Sequence, residues 1–159
     1  MKKVTKINWT FHTSNQEGSG TDSRVTIRIF RDGHELVFVN QEPGETGRLD
    51  RGEVGTYWWE FQNPTGIGTA VSGQAVPYTE DFPNGVQGHL VVQLEIWSDD
   101  EWRIESIDSQ VISGKMVGVP GTIDSWNWVE TSETFYFSAD NIVMSSDNSE
   151  GYRKVNLNY

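Results

Sequence analysis

The chain reads as an all-β protein built as an antiparallel β-sandwich, and three observations carry that expectation. Short stretches in which apolar and polar residues alternate recur along the chain. They are rich in β-branched and aromatic residues, and each is bounded by a cluster of Gly, Asn, Asp or Pro. An Asp32-Gly33 pair between two such stretches marks a tight hairpin, because a two-residue turn of matching twist needs positive φ. No segment carries the periodicity of an amphipathic helix convincingly.

The first predicted strand is Val4–Thr13. In the second, Arg24–Arg31, Val25, Ile27 and Ile29 alternate with Arg24, Thr26, Arg28 and Phe30, so one face is buried and the other wet, with Phe30 the apolar exception. Arg31-Asp32-Gly33-His34 then turns the chain into Glu35–Asn40. Gly55–Phe61 follows. His89–Ser98 places Leu90, Val92, Leu94 and Ile96 on one face and Val91, Gln93, Glu95 and Trp97 on the other, the composition of a central strand. Arg103–Ser113 is apolar at Ile104, Ile107 and Val111, a spacing that mixes two periods. Its serines and β-branched residues favour a strand with a bulge. Ser125–Val129 and Glu133–Ser138 complete the set of eight.

Two stretches break the pattern. Gln62–Gly88 contains Pro64, Gly66, Gly68, Gly73, Pro77, Pro83, Gly85 and Gly88 and is expected as a long loop insertion. Gly114–Gly121 is turn-rich. The sandwich is expected over residues 1–144, followed by a polar C-terminal tail over 145–159.

A chain of 159 residues suits one domain with a single core. The absence of cysteine excludes a disulfide framework and a thiolate metal site. With 23 acidic and 12 basic side chains, the formal charge of −11 repels nucleic-acid phosphates and anionic lipid head groups, while it suits Ca²⁺. Nucleic acid is therefore not an expected partner. Met1-Lys2-Lys3-Val4 opens like a signal peptide, but Thr5, Lys6, Asn8 and Thr10 interrupt any apolar core, so no signal peptide is recognisable and an uncleaved start is expected. No apolar run is long enough to span a bilayer, and a soluble chain is expected. His12, His34 and His89 sit in no nucleophile or zinc setting, and no phosphate-cradling glycine loop appears. The expectation is a protein that binds and does not catalyse.

Three segments carry a resemblance. His12–Val25 contains Gly18-Ser19-Gly20-Thr21-Asp22-Ser23 between two strands. Leu49–Phe61 contains Arg51-Gly52-Glu53 leading into a strand, and Leu94–Ile107 contains Ile96-Trp97-Ser98-Asp99 followed by Trp102. In this order they resemble the opening, the fourth-strand entry and the tryptophan strand of PLAT (lipoxygenase-homology) domains, over roughly Val4 to Ile112. Ser98-Asp99 stands where the family has His-Asp, and the last third of the chain has no counterpart.

The resemblance implies an eight-stranded antiparallel sandwich with Trp102 in its core. It further implies a binding module, modulated by Ca²⁺, that docks on a lipid surface or a protein partner. Carried over from the family, the calcium ligands would be Gly20, Thr21 and Asp22, then Asn40, Glu42 and Glu45, then Asp99 or Asp100. Ca²⁺ takes six to eight oxygens from such loops. Against this, Asp22 can simply bond the backbone of its own turn, and Asp99, Asp100 and Glu101 can spread into solvent.

Seven tryptophans in the chain suggest either an aromatic core or an exposed platform. Trp58 and Trp59 are consecutive in a strand and must point to opposite faces. One of them, with Tyr57, is a candidate for stacking on sugar rings, which makes a carbohydrate-binding sandwich the alternative. Trp97 falls on the outward side of its strand, and Trp126 and Trp128 share a face. A packing role is expected for every tryptophan except Trp58 or Trp59. A third possibility is a structural or assembly subunit of a larger complex, with interfaces at Gln62–Gly88 and Trp126–Tyr136.

Overall fold

A computed structural model of the chain describes residues 2–21, 25–41, 49–61, 68–69, 74–76, 85–97, 100–137, 142–147 and 151–159. Among these there are strands and turns and no helix. Eleven strands are described: β1 Lys3–Thr13, β2 Val25–Arg31, β3 His34–Gln41, β4 Val54–Glu60, β5 Gly68–Thr69, β6 Gln74–Val76, β7 Leu90–Ile96, β8 Trp102–Gly118, β9 Trp126–Phe137, β10 Ile142–Met144 and β11 Lys154–Asn158. They form two antiparallel sheets. One has the order β10-β8-β1-β4-β5, with β9 also paired to β8, and the other has the order β11-β7-β2-β3-β6.

Period-2 patterning decides which way each strand faces. In β1, Ile7, Trp9 and Phe11 are buried while Lys6, Asn8, Thr10 and His12 are only half-buried. In the facing sheet Val25, Ile27 and Ile29 meet Leu90, Val92, Leu94 and Ile96 across the β2–β7 ladder, all within a single core. Each such aliphatic side chain contributes roughly 1.5–3 kcal/mol through burial. Aromatic packing adds shape. Phe11 lies 5.6 Å from both Tyr57 and Trp102, tilted against the first and edge-on to the second. The Trp102 indole donates to Thr13 Oγ1 at 3.0 Å, which satisfies its one buried donor.

The Asp32-Gly33 hairpin forms as expected, with φ of 49° and 85° at its two central residues. The bulge expected in Arg103–Ser113 also forms, where the β1–β8 register shifts between His12 and Thr13.

Other elements differ from expectation. Gly114–Gly121 is not a turn region as a whole, because β8 runs on to Gly118 and the reversal falls between Val119 and Ser125. The pieces expected at Ser125–Val129 and Glu133–Ser138 are one strand, β9, paired without interruption from Ile107↔Phe137 to Gly118↔Trp126. Thr131 and Ser132 are acceptable strand residues at an exposed edge, so the polar gap between the two apolar runs does not end the strand. Two short strands, β5 and β6, lie within the expected Gln62–Gly88 loop and pair with β4 and β3.

The sandwich does not end at residue 144. β11 completes the second sheet against β7, and Leu157 is buried. Tyr159 reaches across to the first sheet, where its hydroxyl accepts from Trp9 Nε1 at 3.0 Å and bonds Ser109 Oγ at 2.7 Å. Phe135 and Phe137 pack edge-on against its ring. Burial pushes the Tyr159 phenol up to about 12, with its two hydrogen bonds opposing the shift.

Candidate functional site

The outer face of the first sheet is built from the residues that alternation turns away from the core. Register brings them together: Asn8 stands opposite Trp58 on β4 and opposite Gln110 on β8, and Thr10 stands opposite Thr56 and Asp108. With Lys6, Ser109 and Thr134 they line a groove of 360 Å³. Its polar groups pair laterally. Asn8 Nδ2 donates to Gln110 Oε1 at 3.0 Å, Thr10 and Thr56 hydroxyls lie 3.4 Å apart, Lys6 meets Glu60 at 3.2 Å and His12 meets Asp108 at 2.9 Å.

Those bonds leave capacity to spare. An amide carries two N–H donors and two acceptor lone pairs, so the Asn8–Gln110 bond engages only a fraction of what the pair offers. The Thr10 and Thr56 hydroxyls likewise each keep a donor or acceptor position. Lys6 is paired in charge with Glu60, and the Asp108 carboxylate is hydrogen-bonded to the His12 ring. Trp58 supplies the aromatic wall, with the Lys6 ammonium 5.4 Å from its ring centroid.

Only part of the expected Tyr57, Trp58 and Trp59 platform belongs to this face. Tyr57 and Trp59 are each 1 % exposed and lie in the core, which corrects their expected role as ligand contacts. The reason is parity: with Trp58 turned outward, both strand neighbours must turn inward.

Past the groove, β8 and β9 continue as a two-stranded arm. Lys3 pairs with Gly114, so Lys115–Gly118 and Trp126–Val129 run beyond the end of β1. The ladder holds its register throughout, so Trp126, Trp128 and Tyr136 share the face that carries Asp108 and Gln110. Trp126 is 60 % exposed, contrary to the packing role expected for it.

The expected calcium ligands map elsewhere. Thr21 is buried and its hydroxyl donates to Asp100 Oδ2 at 2.8 Å, while its N–H donates to the Leu49 carbonyl at 3.1 Å. Gly20 packs so closely on Asp50 and Arg51 that an added Cβ would fall 2.7 Å from the Arg51 nitrogen. The first and third expected loops are thus neighbours, joined through Thr21 and Asp100. Asn40, the last residue of the expected Glu35–Asn40 strand, is a residue of β3 whose backbone stands opposite Thr26 and Gln74. Asp22, Glu42, Glu45 and Asp99 lie outside the described residues. Among the described residues no three His, Asp or Glu side chains gather as a metal site, and no helix is long and apolar enough to cross a membrane.

On the outer face of the second sheet, charged side chains among the described residues converge on one another. Glu95 is 3 % exposed, with Arg153 Nε at 3.2 Å, Arg28 at 3.6 Å and Lys154 at 3.9 Å. The Trp97 indole donates to Thr26 Oγ1 while Arg153 lies over its ring at 5.4 Å.

Compared with known proteins, the chain matches no family model and no curated protein.

Proposed function

We propose that the chain is a non-catalytic binding module that takes uncharged sugar on the outer face of its first sheet. The observation that carries this is the groove itself: one aromatic wall, Trp58, beside amide and hydroxyl groups fixed by the cross-strand register. A sugar ring has an apolar C–H face and a rim of hydroxyls, and this combination offers a partner for each. The volume of 360 Å³ is at the lower end of small-ligand sites. Neutral ligand suits a groove whose Lys6 is paired with Glu60 and whose Asp108 is hydrogen-bonded to His12, on a protein whose charge of −11 repels anions.

The test is intrinsic fluorescence and calorimetry against a panel of neutral oligosaccharides, with the wild type and Trp58→Ala. Saturable binding that Trp58→Ala reduces at least tenfold supports the reading. Unchanged binding in that variant overturns it.

One observation favours a second reading, the Ca²⁺-modulated PLAT-like module docking on a lipid surface or protein partner. Thr21 and Asp100, from two of the three loops named by that resemblance, meet at 2.8 Å. Thermal unfolding in EDTA and then in millimolar Ca²⁺ tests it. A ligand bound only by the folded state at a hundredfold excess over Kd stabilises by about 2.7 kcal/mol. Asp100→Ala should abolish that gain.

A further inference from the structure

We propose that Trp126 and Trp128 form a second sugar-stacking subsite on the same face, so that the ligand is a chain of several uncharged sugars lying from the Trp58 groove out along the β8–β9 arm. This rests on the reading of the groove as a sugar site.

Three observations carry it. The first is register. β8 and β9 pair without a shift from Ile107↔Phe137 to Gly118↔Trp126, so the indoles at 126 and 128 emerge on the face that bears Gln110 and Thr134. The groove and the arm are one continuous surface.

The second is the way the indoles are seated. Trp128 occupies the space where a Cβ would sit at Gly114, and Trp126 rests against Gly118, with ring carbon Cζ3 3.7 Å from that glycine's notional Cβ. Glycine weakens a strand interior and is expected where something must approach the backbone closely. Here the two glycines let the neighbouring strand's indoles settle onto the sheet. Trp126 nevertheless remains 60 % exposed, more than packing alone calls for.

The third is length. Gln110 lies in the groove, and Gly114 and Gly118 are four and eight residues further along β8, or about 13 and 27 Å in an extended strand. One sugar ring cannot touch both the Trp58 wall and the arm, whereas a polymer of several can. Charge fits the same ligand. Among the described residues of β8 and β9, Glu130, which accepts from Trp128 Nε1 at 3.4 Å, is the one charged side chain on this face between Gln110 and Trp126, and Lys6 and Lys3 stand beside it on β1, opposite Ile112 and Gly114. A neutral polyhydroxylated chain meets no uncompensated repulsion there.

Affinity gel electrophoresis with soluble xylan, glucomannan, mixed-linkage β-glucan and hydroxyethylcellulose, followed by calorimetry on oligosaccharides of two to eight units from the polymer retained, tests the proposal. The variants are Trp58→Ala, Trp126→Ala and the double change Trp126→Ala/Trp128→Ala. Trp126→Ala removes only an exposed ring, so it remains informative if the double variant loosens the arm.

Affinity in the wild type should rise with oligosaccharide length beyond the size that fills the groove. The arm variants should leave the shortest ligands unaffected and lower affinity for the longest by tenfold or more, as expected when two linked contacts are reduced to one. If both arm variants bind every length as the wild type does while Trp58→Ala binds none, the groove stands as a sugar site and the second subsite is refuted. If the wild type retains no polymer and binds no oligosaccharide, the groove reading and the subsite fall together.

Discussion

The two sheets turn very different faces to solvent. On the second sheet, Glu95 is almost wholly covered and Arg28, Arg153 and Lys154 converge on it, while Trp97 is held by Thr26 and Arg153. Among the described residues, these charges and the Trp97 ring are used on one another. On the first sheet the side chains are shorter and mostly uncharged, they pair laterally with capacity left over, and Trp58 stands beside them. A face that closes on itself contributes stability, and a face with unused hydrogen-bonding capacity and an aromatic wall is equipped for a ligand. The stability effects and the binding effects of substitutions should therefore separate by face.

The largest separation is expected within a single dipeptide. Trp59→Ala opens the core and should cost about 3–5 kcal/mol in a denaturant melt. Trp58→Ala should cost no more than about 1 kcal/mol and remove sugar binding. Equal destabilisation by the two would mean that the outer face of the first sheet is structural after all.

On the second sheet, Glu95→Ala leaves Arg28, Arg153 and Lys154 without the carboxylate they share. It should cost about 2–3 kcal/mol with no change in sugar affinity. A loss of affinity in that variant would break the division between the faces.

Tyr159 joins the two layers, and Tyr159→Phe strands the Trp9 indole and leaves the Ser109 hydroxyl only the Asn8 carbonyl at 3.3 Å, at a cost of about 1–3 kcal/mol. Its pH dependence has a definite sign. A phenol raised from 10.0 to about 12 is favoured neutral in the folded state, so its stabilising effect is complete below pH 10 and is lost as pH rises towards 12. The wild type should lose stability over that window more steeply than Tyr159→Phe, as measured by urea melts at stepped pH.

The smallest effect is expected from Asn8→Ala or Gln110→Ala. Each should weaken sugar binding several-fold, with a stability change within about 0.5 kcal/mol.

Much of the fold was legible in the residues because alternation reports burial directly. Val25, Ile27 and Ile29, the Leu90–Ile96 set, the Asp32-Gly33 hairpin and the opposed Trp58 and Trp59 all follow from a period of two. What was not legible depends on pairing. Nothing local says that Asn8 lies between Trp58 and Gln110, because those contacts span β1, β4 and β8 and are fixed by register across the chain. The polar tail could not be recognised as β11 because only Val155 and Leu157 alternate inward over its short length. The exposure of Trp126 was hidden for the same reason, since it depends on β8 and β9 outrunning β1. Alternation did place Trp126 and Trp128 on a common face, and Gly114 and Gly118, spaced four apart across from them, are the local signal that the pair lies against backbone.

The most direct test of the division between the faces is an NMR titration of ¹⁵N-labelled protein with a neutral oligosaccharide. Shift changes should fall on the side-chain amides of Asn8 and Gln110, the Trp58 indole and the backbone of Lys6 to Thr10, with the Trp97 indole and Gln93 unmoved. Changes centred instead on Trp97 and Gln93, or none on the first sheet at saturating sugar, would contradict it.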